Sequence, residues 1–227
     1  MDKLRNVNTA ILVDGGFYRK RANYYIGKTD PSTAAEIMMQ HCYKLLFDKH
    51  EQRNLYRIFY YDCPPIDKNV YNPLTGKSIY LGKSEEFKWM TAFLNELKCR
   101  RKVALRLGRI SENAIEYSLK YESLKKLLNG SLKLEELKES DFSLNIEQKG
   151  VDMRIGIDIS SLSFKRQVNQ IILISGDSDF VPAAKHARRE GIDFILNSLG
   201  APIKEDLFEH IDGLIKTGIK PPEDDAN

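Results

Sequence analysis

The chain has 227 residues, 42% of them hydrophobic, which is enough to bury one sizeable core. A net charge of +3 with 30% charged residues permits a polyanionic partner without demanding one. Three scattered cysteines (Cys42, Cys63, Cys99) without C-x-x-C spacing argue against a disulfide framework or a structural zinc site, and no apolar run is long enough for a signal peptide or membrane span.

The elements follow in chain order. "TAILVD" predicts a buried strand ending at Asp14, followed by Gly15 and Gly16. Residues 30–50 predict a helix, with Thr33 and Glu36 at capping-box spacing and Ile37, Met38, Cys42 and Leu45 at helical spacing. "LYRIFYYD" is an aromatic strand. The stretch near 64–83 is rich in Pro, Gly and Asn and reads as an insertion, with "NPLTGK" as a turn. A helix starts at Ser84. "KVALRLGRI" predicts a strand, residues 111–130 a helix closed by Gly130, and "FSLNIEQ" an added strand. "KGVDMRIGIDISSLSF" predicts a helix with Ile155, Ile159 and Leu162 on its apolar stripe. "NQIILIS" is the most hydrophobic strand, "FVPAAKHARREG" a helix, and "IDFILNS" a strand. A helix around "KEDLFEH" and a short strand "GLIKT" follow, and 221–227 predict a disordered polar tail.

Strands thus alternate with helices, and "AILV" and "IILI" are continuous apolar runs. Both features predict a three-layer α/β domain over residues 1–220 with a mostly parallel central sheet. In such sheets, ligand sites lie beyond the carboxyl ends of the strands. Asp14 ends one strand; Asp177 and Asp179 follow another; Asp152 begins a helix. Carboxylates sharing a pocket repel one another unless a cation is present or their pKa values rise. An all-oxygen set selects Mg2+ or Mn2+. On spacing alone, each strand-ending Asp is equally readable as a helix cap. Asp158, six residues after Asp152, is turned about 120° off the same helical face.

"ILVDGGFY", "KGVDMRIGIDI" and "IILISGDSDFVPAAKHARREGIDFIL" resemble, in this order, the signature segments of the NYN domain family, the LabA-like branch of the PIN-like nucleases. The resemblance runs from about residue 8 to about residue 216. It implies a PIN-like, Rossmannoid α/β/α fold and metal-dependent endoribonuclease activity on single-stranded or structured RNA. Asp14, Asp152, Asp177 and Asp179 match its catalytic, metal-holding acidic positions, with Asp158 a lesser candidate. The chain departs from the pattern at Phe17, where many relatives carry Asn. That departure favours the alternative, a non-catalytic RNA-binding or protein-interaction module.

Basic clusters next to the acidic segments are candidate RNA contacts: Arg19, Lys20 and Arg21 after the first, Lys185, Arg188 and Arg189 after the last. Tyr18, Tyr24 and Tyr25 read as packing or as base-stacking groups. Further expectations are a cytoplasmic location, no membrane partner, and a homodimer through apolar residues of the insertion (Val70, Ile79, Leu81).

Overall fold

The computed structural model describes residues 5–219, apart from the side chains of 112–114. The expected tail at 221–227 lies outside the described residues. The chain divides into two compact units, one of residues 1–62, 92–108 and 150–227, the other of residues 63–91 and 109–149.

The first unit holds a six-stranded sheet in which every pairing is parallel. Its strands are β1 (Arg5–Asp14), β2 (Glu51–Asp62), β5 (Val103–Leu107), β8 (Gln170–Ile174), β9 (Asp193–Asn197) and β10 (Gly213–Ile215). They lie in the order β10-β9-β8-β1-β2-β5. From β1 the chain builds outward to β2 and β5, then returns to β1's other side with β8. The β1/β8 boundary is therefore the topological switch point, where a crevice opens outside the strand ends.

Both faces of the sheet are covered, which explains its uninterrupted apolar runs. Alternate residues Ala10, Leu12, Phe59, Tyr61, Ile171, Leu173, Phe194 and Leu196 share one core with α5 (Val151–Phe164) and α6 (Val181–Arg189). That core takes Ile155, Ile159 and Leu162 from α5 and Val181, Ala184 and Ala187 from α6, the stripes that helical periodicity selects. The intervening residues Ile11, Val13, Ile58, Tyr60, Ile172 and Ile174 are equally buried. On their face, the Tyr60 ring meets Phe93 of α3 (Glu85–Lys98) edge-on at 5.7 Å. Also in this unit are α1 (Gly15–Ile26), α2 (Pro31–Lys44) and the short α7 (Glu205–Phe208).

The second unit contains the antiparallel hairpin β3–β4 (Asn69–Asn72, Lys77–Tyr80), which occupies the stretch expected as an insertion and turns at the expected "NPLTGK". It also contains the antiparallel pair β6–β7 (Arg109–Leu119, Phe142–Lys149) and α4 (Tyr121–Leu128).

Three local expectations are corrected. Residues 111–119 are strand rather than helix: Ile115, Tyr117 and Leu119 pair with Ile146, Leu144 and Phe142, a partner more than twenty residues away that local periodicity cannot see. The α2 cap is Asp30, whose carboxylate accepts from the N–H groups of Ser32 and Thr33 ahead of Pro31 at N1, and not the Thr33–Glu36 box. Val70, expected exposed for dimerisation, is buried, whereas Ile79 is 41% exposed. Among the described residues, no helix is long and apolar enough to cross a membrane.

Candidate metal centre and nucleic-acid interface

The register of β1 and β8 sets the site. Val13 pairs with Ile174, so Asp14 and Ser175 leave the sheet side by side, and the Ser175 hydroxyl donates to Asp14 Oδ2 at 3.1 Å. The other Asp14 oxygen accepts the Phe17 N–H at 3.1 Å, capping α1. Cap and site residue are thus the same carboxylate, and the two readings open in the sequence are compatible.

After β8 the chain makes a 3-10 turn at Ser178–Phe180 before entering α6. Here the turn separates the two carboxylates. Asp177 is the cap, accepting the Asp179 N–H at 3.0 Å, and α6 itself begins after Phe180 with no side-chain cap. Asp179 is left exposed and free of capping duty because the extra turn displaces it from the helix start. Asp152 lies in the first turn of α5, whose N-terminal N–H groups favour a negative charge.

Asp14 and Asp152 feel the other carboxylates. Burial pushes the Asp14 carboxyl above its ordinary value and the charge of Asp177 adds to this, while the Phe17 N–H and Ser175 hydroxyl pull it back. Asp152 is pushed up by partial desolvation and by the charges of Asp14, Asp177 and Asp179. Uncompensated like charges of this kind at a switch point suit a divalent cation, and the donor set is oxygen throughout. Among the described residues, the set of potential ligand atoms lying within 4.8 Å of one another is a different one, Asp206, Glu209 and His210 beside α7. Both its carboxylates are exposed, and nothing else about it points to an ion.

Asp158 faces elsewhere, as its helical angle indicates. It accepts from the Tyr61 hydroxyl at 2.8 Å and from Arg106 Nε at 3.0 Å, tying α5 to the sheet. Phe17, at the family's Asn position, packs its ring against Gly176: a Cβ there would sit 2.8 Å from Phe17 Cε2. The aromatic ring therefore braces the loop that carries Asp177.

The basic candidates separate. Arg19 forms an ion pair with Asp62, which is 1% exposed and also accepts the Tyr60 hydroxyl at 3.0 Å. Gly15 is what admits this cluster under α1, since a Cβ there would overlap Asp62 and Tyr60. Arg21 donates from Nε and Nη2 to the Leu199 carbonyl, at 3.1 and 2.8 Å, and lies over the Tyr24 and Tyr25 rings. Tyr25 donates to the same carbonyl, so it packs rather than presenting a free stacking face. Lys20 is exposed.

Lys185, Arg188 and Arg189 are not beside the carboxylates. Along α6, which rises about 1.5 Å per residue, they stand roughly 6 to 12 Å back from its first residue, Val181. There they line a cavity of about 860 Å3 together with Arg5, Glu51 and Asp193, the first residues of β1, β2 and β9. Arg188 is bound to Asp212 at 2.9 Å. The sequence reading missed Lys204, which follows β9 and whose Nζ donates to Ser178 Oγ at 3.0 Å, between Asp177 and Asp179. Its signal was its place beyond the carboxyl end of a strand. The reading also missed Asp62, which ends β2 next to Asp14's strand.

A family model described as the NYN domain matches residues 88–216, more than half of the chain. No curated protein matches. Among solved structures, a protein of unknown function from Vibrio parahaemolyticus aligns over 95% of both chains at 13% identity with a TM-score of 0.46.

Proposed function

The chain belongs to the NYN domain family, and we propose that it is a metal-dependent endoribonuclease in which Asp14, Asp152, Asp177 and Asp179 hold Mg2+ or Mn2+. The observation that carries this reading is the convergence of Asp14 with the Ser175–Asp179 segment beyond the ends of β1 and β8, at the sheet's switch point, where the neighbouring carboxylates raise Asp14 and Asp152. When bound, the cation would activate the attacking water and neutralise charge on the phosphate.

The chain's own residues do the rest. Ser175 and the Phe17 N–H fix both oxygens of Asp14, so its orientation is set before any substrate arrives. The Asp177–Asp179 turn holds a second carboxylate beside it. Lys204, bonded to Ser178 between Asp177 and Asp179, and the exposed Lys20 would supply positive charge to RNA phosphates, while Arg19 and Arg21 are engaged in holding α1. The Phe17 substitution supports a second reading, a non-catalytic RNA-binding module, because a polar group near Asp14 is replaced by packing.

Cleavage of labelled RNA in Mn2+ and in EDTA, with RNA binding measured on the same samples, separates the two. The nuclease reading expects Mn2+-dependent cleavage that Asp177→Asn abolishes without unfolding the protein. Binding with no cleavage under any divalent cation would instead establish the second reading.

A further inference from the structure

A groove of about 540 Å3 runs between α5 and α6, and Asp152 and Asp179 belong both to its walls and to the carboxylate cluster. Its α5 side is made by Met153, Gly156, Ile157 and Ser160, which recur at i, i+3, i+4 and i+7 and so share one helical face. Met153 is 70% and Ile157 58% exposed. Among the described residues no Lys or Arg lines the groove, so it does not suit a phosphate backbone.

Gly156 is the telling residue. It sits in the middle of a fourteen-residue helix, where glycine weakens the element. A Cβ at this position would meet nothing within 4 Å. The chain's own packing therefore does not require its smallness, and the missing side chain leaves the groove deeper at this point.

We propose that this groove seats an unpaired nucleobase of the RNA, next to the phosphate that a cation on the carboxylates would hold, an inference that rests on the nuclease reading. Bases present broad aromatic faces, and the exposed Met153 thioether, which makes favourable contacts with aromatic rings, offers one such face a partner beside Ile157. In a duplex those faces are already stacked, so only an unpaired nucleotide can lay one into the groove. Continuity selects this occupant: Asp152 and Asp179 line the groove as well as the candidate cation site, so a base in the groove would bring its own phosphate toward the cation. Met153, Gly156, Ile157 and Ser160 then determine the preference for unpaired RNA.

The test compares a short fluorescein-labelled oligouridylate with the same strand made abasic at its centre, which has equal charge. Anisotropy is read in Ca2+ for the parent, for Gly156→Leu and for Met153→Ser/Ile157→Ser, and cleavage is read separately in Mn2+. The parent is expected to bind the intact strand about tenfold more tightly, the factor that 1.4 kcal/mol gives. Both variants should lose that preference. Gly156→Leu should melt no lower than the parent, since leucine is the better helix former and the space is open. The double variant, altered only at exposed positions, serves equally if Gly156→Leu fails to fold. Equal affinity of the parent for both strands, or a preference that survives both variants, would overturn the proposal. So would a change in sedimentation mass on filling the groove with RNA preference intact, which would give the groove to a second copy of the chain. Base preference without Mn2+-dependent cleavage would sink the nuclease reading alone; cleavage without base preference would sink the groove alone.

Discussion

Replacing Arg19 by Met tests whether this arginine belongs to the fold or to the RNA. Asp62 is 1% exposed and Arg19 27%, so removing the guanidinium strands a buried carboxylate. Breaking a buried pair from one side costs about 3–5 kcal/mol. The open end of Arg19 lets water reach the vacated position, and the Tyr60 hydroxyl still donates to Asp62, so the lower end applies, about 3 kcal/mol. For a chain of this size that lowers Tm by roughly 6–12 °C. Arg19→Met/Asp62→Asn removes the stranded charge while keeping an acceptor for Tyr60, and should recover about half of the loss or more. Circular dichroism melts of the parent and the two variants give the values. An Arg19→Met protein with the parent's Tm and weakened RNA binding at low salt would refute the structural role and make Arg19 a phosphate contact.

Three other outcomes are expected. His41 is 4% exposed, and burial lowers its pKa from 6.5 to about 4. The unfolded chain then binds the proton first as pH falls, so stability is lost between pH 6.5 and 4, by about 3 kcal/mol in the limit. His41→Gln should flatten the dependence of urea unfolding on pH over that window, and parallel curves would contradict this. The raised Asp14 and Asp152 carboxyls have the sign of groups that cost stability once ionised, with the cost growing as pH rises through their titration and fully present at neutral pH. Mn2+ at a hundredfold excess over its Kd should therefore stabilise the parent by about 2.7 kcal/mol. Asp177→Asn should melt higher than the parent in EDTA and gain no such increment; an equal Mn2+ shift in both proteins counts against the site. Lys204→Ala should weaken RNA binding more at low salt than at high salt, whereas an unchanged salt dependence would remove it from the interface.

How much could be read from the sequence depended on how local each cause was. Continuous apolar runs at "AILV" and "IILI" report burial on both faces, which only a covered parallel sheet supplies, so the architecture was legible. Asp14 and Asp177 were legible as site candidates because one ends a strand and the other lies just beyond one. Lys185, Arg188 and Arg189 were not, because adjacency in sequence to Asp179 becomes separation in space once α6 runs back along the sheet. Which of Asp177 and Asp179 is the cap is decided by a single 3-10 turn that no periodicity announces. Residues 111–119 carry a pattern compatible with a helix, and the partner strand that overrides it lies beyond any local window. Asp62 was hidden for the same reason: what makes it a buried partner of Arg19 is the pairing of β1 with β2, not any feature of "YYD" itself.

The central claim is that four aspartates, gathered at the β1/β8 switch point, run phosphodiester cleavage with a divalent cation. The most direct measurement is the rate of labelled RNA cleavage by the parent, Asp14→Asn and Asp177→Asn proteins, each folded by circular dichroism, in Mn2+ and in EDTA. Cleavage by the parent in Mn2+, stopped by EDTA and reduced at least about a hundredfold in each variant, is the predicted result. Undiminished cleavage by either folded variant, or cleavage that continues in EDTA, would contradict it.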